Sequence, residues 1–309
     1  MAIFVPELKK EGFLDNIHFT IVVVGSRKMR NDDDYGSGIW QNFAPNLTIY
    51  GFDADEDACQ FANQELEKKA INWQEKHFPL VLSDTIGEST LYVTKGVDCT
   101  SLYEPNENYL SRFSALNNHI KLDFAIEIET TTLDAFCQEE NIKNIDFLYL
   151  DIQGAELKVL QGAKKILNQS ILGIQLEVEF AHLYKQQPLF SDVDPFLRKH
   201  NFNLFDLITD HPMSHRPRAI SPVYSPKKIG QLLWAYALYL RDPLLENSLN
   251  FLQNPEQIFK LACLADILDY PDYALELLSY LSNTYGDNLQ DQVNAIIEYS
   301  LKSLPLDTH

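Results

Sequence analysis

Carboxylates at the ends of apolar runs are the side chains of this chain best placed to do chemistry. The segment Ile145 to Leu167, IDFLYLDIQGAELKVLQGAKKIL, is apolar up to Leu150, reaches Asp151 and turns through Gly154. Leu157, Val159, Leu160, Ala163 and Leu167 then follow at helical spacing. The pattern predicts a buried strand that delivers Asp151 at its C-terminal end, followed by a crossover helix. Two more apolar runs end in the same manner, His18 to Val24 at Gly25 and Leu47 to Phe52 at Asp53, and Gln153 and Glu156 lie just beyond Asp151. A carboxylate only accepts hydrogen bonds, so at the end of a second strand it can take both hydroxyls of a nucleotide ribose. Asp53 and Asp55 can equally cap the helix that follows, and spacing leaves those two readings even.

The elements that must position these groups read as strands alternating with helices. Strands are expected at His18–Val24, Leu47–Phe52, Phe78–Leu82, Thr90–Val93, Ile120–Thr130, Ile145–Leu150, Ile171–Val178, Phe202–Leu207 and Gln231–Leu240. Helices are expected at Asp55–Lys69, Thr132–Glu140 and Asp192–His200. Such alternation predicts an α/β fold with a doubly wound, mostly parallel sheet over residues 18–242, after a lead-in segment at 1–17. Beyond Arg241 three helical stretches, about 254–268, 271–285 and 289–303, predict a helical appendage over 243–309. No period recurs along the chain, so a solenoid is not indicated.

Composition narrows the function. The 309 residues carry 25 basic and 44 acidic side chains, a net charge of −19. No basic stripe interrupts that acidity, which excludes a phosphate-neutralising nucleic-acid surface. Cys59, Cys99, Cys137 and Cys263 are dispersed with no CxxC pair, and Pro212 breaks the His211/His215 spacing, so no metal site is expected. With neither a signal peptide nor an apolar stretch near the roughly 20 residues of a membrane helix, a cytoplasmic protein without membrane partners is expected.

Four stretches together resemble the FkbM-type S-adenosylmethionine-dependent methyltransferases. They are IVVVGSR with IWQNFAPNLTIYGFDAD (21–55), CTSLYEP (99–105), TTLDAF with FLYLDIQGAELKVLQGA (131–163), and LGIQLEVEFAHLY (172–184). The resemblance implies a Rossmann-like, seven-stranded methyltransferase sheet whose last strand, within 230–242, is antiparallel. It also implies S-adenosylmethionine as cofactor, with Gly25 against its methionine part, Asp53 on the ribose, Ser83 and Asp84 near the adenine, and Asp151 near the transferring methyl. Glu156 and Glu177 would line the pocket. The chain departs from the family pattern at Val23, where an acid is usual, at Lys28 and Met29, where glycine is usual, and at Gln153 and Tyr236, where acids are usual.

The activity so implied is methyl transfer to a hydroxyl of a sugar or secondary metabolite, a small-molecule or glycan acceptor. An alcohol must lose its proton, which makes Asp151 and His182 the candidate bases, and Tyr103 a candidate acceptor contact alongside Tyr109 and Phe113. The rival reading is a degenerate, non-catalytic fold acting as an interaction protein. Its partner surface would be the leucines of 243–309: Leu261, Leu264, Leu268, Leu275, Leu277, Leu278 and Leu281. Packing against the main domain is the other role open to those leucines. A nicotinamide-dependent oxidoreductase is disfavoured because GxGxxG is missing after the first strand.

Overall fold

Helix α1 (Val5–Lys10) leads into strand β1 (Phe19–Val24), whose β-branched residues are buried on both faces. The computed structural model describes residues 2–28, 38–210, 214–221, 223, 225–245, 249–285, 294–295 and 297–299. After β1 come β2 (Leu47–Phe52), α2 (Glu56–Lys69), β3 (Gln74–Phe78), β4 (Val81–Leu82) and β5 (Gly87–Thr94). Two short helices, α3 (Glu107–Leu110) and α4 (Leu116–His119), precede β6 (Leu122–Thr131), α5 (Leu133–Glu139) and β7 (Phe147–Leu150). Then follow α6 (Glu156–Gln161), α7 (Lys164–Gln169), β8 (Gly173–Glu179), α8 (Phe190–Lys199) and β9 (Asn203–Ile208). The chain continues through β10 (His215–Arg216), β11 (Gln231–Leu232), β12 (Trp234–Leu240), α9 (Pro255–Ile267) and α10 (Pro271–Tyr285).

Seven strands form one sheet in the order β3-β2-β1-β7-β8-β12-β9. Pairs from β3 across to β8 are parallel, and β12 is antiparallel to both β8 and β9. The fold is therefore the expected Rossmann-like, doubly wound sheet. Its winding reverses between β1 and β7, which opens a crevice at the C-terminal ends of those strands. A second sheet, β4-β6-β5, is inserted between β3 and β7 and stands beside that crevice.

Period-two alternation sorts the strand residues onto two faces. Phe19, Ile21, Val23, Phe147, Leu238 and Leu240 turn to one core, Val22, Val24, Leu148, Leu150, Ala237 and Tyr239 to the other. Helices α5 to α8 cover the second face. The first is covered by α1, α9 and α10, where Leu261, Leu264, Leu277, Leu278 and Leu281 are buried. Leu268 and Leu275 are partly buried against the same core. Those leucines pack into this core, the second of the two roles left open for them. Helix α9 is apolar nearly all round, as a helix enclosed on every side must be. Its two buried charges are both partnered: Lys260 Nζ lies 3.0 Å from Asp146, and the Asp266 carboxylate accepts the N–H groups of Ile3, Phe4 and Val5 at the start of α1. Most of the third helix expected, at 289–303, lies outside the described residues.

Three expectations are corrected. The strand expected at Phe78–Leu82 is two strands, because Pro79 has no N–H to continue a ladder: β3 ends at Phe78 in the main sheet and β4 joins β6. The crossover after β7 is two helices. They part at Gly162, where a Cβ would stand 2.1 Å from the Ser83 carbonyl oxygen and only glycine fits, and Asp134 caps the restart by accepting from Lys165 and Ile166 N–H. The strand expected at Gln231–Leu240 divides at Leu233, β11 pairing with β10 and β12 with the main sheet.

Candidate active site

The crevice between β1 and β7 holds a cavity of about 800 Å³ lined by Gly25, Arg27, Asp53, Leu80, Val81, Leu82, Asp151, Gln153, Glu177 and Tyr236, among others. That volume is in the range of small-molecule sites, roughly 300–1,000 Å³. Four of the residues expected at a site therefore share it: Gly25, Asp53, Asp151 and Glu177. Three strand ends bring them together. The N–H of Asp151 donates to Val24 O at 3.0 Å, and those of Gly25 and Ser26 donate to Phe52 O at 2.9 Å. Gly25 has φ +82°, and a Cβ there would fall 2.0 Å from the Asp151 carbonyl oxygen. Only glycine allows the two chain segments this approach.

Asp53 and Asp55 divide the roles that the sequence left open. Asp55 is the helix cap: its carboxylate accepts the Ala58 N–H at 3.0 Å, and Arg27 reaches it at 2.6 Å. The Ala58 bond, with Arg27 beside it, holds the Asp55 carboxyl below its usual value. Asp53 accepts from the Asp55 N–H at 2.9 Å and faces the cavity. Burial raises its pKa, offset in part by that N–H and by Arg27.

Asp151 is gripped by two neutral donors. Tyr236 Oη donates to Oδ2 at 2.8 Å and Gln153 Nε2 to Oδ1 at 2.9 Å. Gln153 Nε2 also donates to Glu177 at 2.7 Å, and Tyr184 Oη to Gln153 Oε1 at 3.2 Å. Gln153 takes φ +58°, and its carbonyl accepts from the Ser101 hydroxyl at 2.8 Å. Two positions where the chain departs from the family pattern thus serve one carboxylate. Burial still raises the Asp151 pKa against both hydrogen bonds.

Behind Asp151 the carboxyls accumulate. Glu156, Glu177 and Glu179 are 2%, 6% and 3% exposed, so solvent screens none of them. Glu156 accepts the Ile152 N–H at 2.8 Å, and burial pushes its pKa up to about 8. Burial, then the neighbouring carboxylates, raises Glu177 and Glu179 well above the ordinary range. These groups cannot all be ionised at neutral pH, so the cluster stores protons beside the cavity. Glu179 is the member that sequence reasoning missed. The signal was present in L-E-V-E, because residues two apart on a strand share a face.

The other expected site residues stand elsewhere. Ser83 is buried and donates to Asp84 at 2.9 Å, while Asp84 meets Lys158 at 3.3 Å; neither lines the cavity. Against its burial penalty, the Ser83 hydroxyl and Lys158 hold Asp84 low. The apolar residues just before them, Leu80 to Leu82, line the cavity in their place. His182 is exposed outside the cavity, so it is not placed as a base. Tyr103 also lies outside the lining, and Phe113, 1% exposed, pins its loop to the core with Tyr109 against it.

The remaining departures also have physical accounts. Val23 is fully buried in the sheet core, away from the cavity. Lys28 pairs with Glu75 at 2.8 Å, and Glu75 meets His77 Nε2 at 3.0 Å while His77 Nδ1 bonds the Ser26 hydroxyl at 2.8 Å. This Ser–His–Glu chain is sealed from solvent, with Ser26 1% exposed, and it ties the loop after β1 to β3. Lys28 therefore does not crowd the cavity; Met29 lies outside the described residues.

A doubly wound sheet with an acid at the end of β2, and a glycine and a carboxylate meeting at the switch point, defines a nucleotide-cofactor fold of the Rossmann-like class. A sequence model of the methyltransferase FkbM domain matches residues 36–204, and the chain belongs to that family. A curated relative, the 2-O-methyltransferase NoeI of Sinorhizobium fredii (strain NBRC 101917 / NGR234), is 29% identical over 160 residues, which cover 48% of this chain and 61% of that protein. Among solved structures, methyltransferase FkbM from Methylobacillus flagellatus KT is 11% identical with a TM-score of 0.39, over 73% of this chain and 45% of that one. TrmK of M. capricolum, solved with S-adenosyl-homocysteine, is 12% identical with a TM-score of 0.35, over 94% and 96% of the two chains. At such distances the site has to be read from this chain itself.

Proposed function

We propose that this chain is an S-adenosylmethionine-dependent O-methyltransferase acting on a hydroxyl of a sugar or other small metabolite. The observation that carries the reading is the convergence of Asp53, Gly25 and Asp151 on one cavity at the switch point. The residues fit the cofactor. Asp53 is an acceptor for two adjacent ribose hydroxyls, Leu80, Val81 and Leu82 offer an apolar face to a base, and an ionised Asp151 favours a cationic sulfonium. The curated relative's 2-O-methyl transfer supports a hydroxyl acceptor.

When bound, the cofactor supplies an electrophilic methyl group to the acceptor oxygen. The protein's share is alignment and proton handling. Tyr236 and Gln153 fix the orientation of Asp151 and favour its ionised form, so Asp151 is the group to accept the acceptor's hydroxyl proton. Glu177, joined to Asp151 through Gln153 Nε2, is held toward its protonated form by burial and by the Asp151 charge, which leaves Asp151 as the member of the pair that ionises first.

Calorimetric titration with S-adenosylmethionine and S-adenosylhomocysteine tests the reading, with Asp53→Ala beside the wild type. Two lost charge-assisted hydrogen bonds, each worth about 1.5–3 kcal/mol, correspond to weakening by at least about 100-fold. Failure of well-folded wild-type protein to bind either compound would turn the assignment toward a non-catalytic scaffold. Labelled methyl transfer to a panel of hydroxylated sugars and metabolites then identifies the acceptor.

A further inference from the structure

One wall of the cavity carries a donor set that the methyl-transfer reading does not use. The short turn Val97–Cys99 after β5 presents Asp98 and Cys99, and His119 closes α4 twenty positions beyond Cys99. A carboxylate oxygen of Asp98, Cys99 Sγ and a ring nitrogen of His119 all lie within 4.8 Å of one another. All three residues line the cavity.

The backbone holds these groups in place. The Gly96 N–H donates to His119 O at 2.8 Å, and the Lys95 N–H to Lys121 O at 2.9 Å, which stitches the two segments together. The imidazole lies against bare backbone, since a Cβ on Gly96 would stand 2.7 Å from His119 Cε1. Tyr184 Oη donates to Cys99 O at 2.9 Å and so fixes the turn from the other side. Asp98 Oδ2 and His119 Nε2 are already 3.1 Å apart.

We propose that Asp98, Cys99 and His119 form a three-ligand site for a borderline-soft divalent ion, zinc in the first instance, with its fourth position open to the cavity. One sulfur, one imidazole nitrogen and one carboxylate oxygen suit zinc and not magnesium or calcium, which take oxygen ligands. Three protein ligands with one open position is the arrangement that leaves room for water or an acceptor oxygen. Binding replaces the Cys99 thiol proton with the metal, and that proton goes to solvent, so affinity rises with pH. Cys99 and His119 are too far apart in sequence for a metal motif, which is why spacing alone gave no sign of the site. The proposal stands apart from the methyl-transfer reading, because its test reads metal binding alone.

Chelator-treated protein is titrated with Co²⁺ and followed by absorbance, then with Zn²⁺ by calorimetry. The expected result is one ion per chain, with a thiolate-to-cobalt charge-transfer band in the near ultraviolet. Cys99→Ser should abolish the band, and His119→Ala should weaken Zn²⁺ binding by about 100-fold or more, since disturbing even outer partners of ligands costs 10–100-fold. His119 is half-exposed, so its variant tests the site even where Cys99→Ser fails to fold. Absence of the band, its persistence in Cys99→Ser, or unchanged Zn²⁺ affinity in His119→Ala would overturn the proposal and leave a surface His–Asp ion pair beside a buried thiol.

Discussion

Replacing Glu156 with glutamine should stabilise this protein, and more so at higher pH. Glu156 is 2% exposed, and burial pushes its pKa from 4.5 up to about 8. Between those values the folded state holds a proton that the unfolded chain has released. Stability from such a group is fully present below 4.5 and is lost as pH rises through about 8. The loss runs at about 1.4 kcal/mol per pH unit, so from roughly pH 5.5 to 7.5 the wild type should lose up to about 3 kcal/mol through Glu156. Glutamine resembles the protonated acid in shape, and its Oε1 can keep accepting the Ile152 N–H that Glu156 accepts at 2.8 Å. The variant lacks this pH-dependent loss. Glu177 and Glu179 take up part of the freed proton affinity, so the gap between variant and wild type should widen by about 1.5–3 kcal/mol over that range. Urea unfolding at both pH values, followed by tryptophan fluorescence and circular dichroism, measures the gap. Parallel pH profiles for the two proteins, or a Glu156→Gln protein less stable at pH 7.5, would refute the protonated-cluster argument.

Two further predictions concern the site and its support. Tyr236→Phe removes the hydroxyl that donates to Asp151 at 2.8 Å, and a hydrogen bond to a charged group is worth about 1.5–3 kcal/mol. The Asp151 pKa should then rise further, which moves the acid limb of the methyl-transfer pH–rate profile to higher pH; an unmoved limb would take Asp151 out of proton transfer. At the opposite edge of the sheet, Lys260→Met leaves Asp146, 1% exposed, as an unpaired buried carboxylate, at about 3–5 kcal/mol. Scanning calorimetry should show Tm lower by several degrees, and a drop under about 2 °C would mean that the pair contributes little.

What could be read in the sequence was mostly local. β2 and α10 match the stretches read from apolar runs and breaker residues, and Asp55 and Thr132 cap α2 and α5 through hydrogen bonds to Ala58 and Ala135 N–H. Gly25, Asp53, Asp151 and Glu177 were legible because a strand end announces itself in the pattern, and the topology then brings such ends to one edge. The misses depended on contacts distant in sequence. The need for glycine at 162 answers to Ser83, and nothing near Lys260 in the sequence foretells Asp146. His182, Ser83 and Asp84 sit at the expected places along the chain, yet loop geometry turns them away from the cavity. The packing of α9 and α10 onto the sheet was equally hidden, because a leucine stripe looks the same whether it meets a partner or its own core.

The departures at Gln153 and Tyr236 make sense once the charges around them are considered together. Asp151, Glu156, Glu177 and Glu179 already crowd one buried region, each raised by burial and by its neighbours. A further acid at either position would add another desolvated carboxyl and push its neighbours further toward protonation. A tyrosine and a glutamine instead donate hydrogen bonds, and both bonds reach Asp151. They lower the affinity of Asp151 for its proton, whereas at Glu156 and Glu179 burial outweighs the donors present, backbone N–H groups on the one and the Gln187 side chain on the other. The two substitutions thereby bias ionisation toward Asp151 and away from the carboxyls behind it. That bias is the division a site needs if one acid is to take a proton from an alcohol. Restoring an acid with Tyr236→Glu should therefore impair methyl transfer rather than improve it, even though it restores the pattern common among relatives.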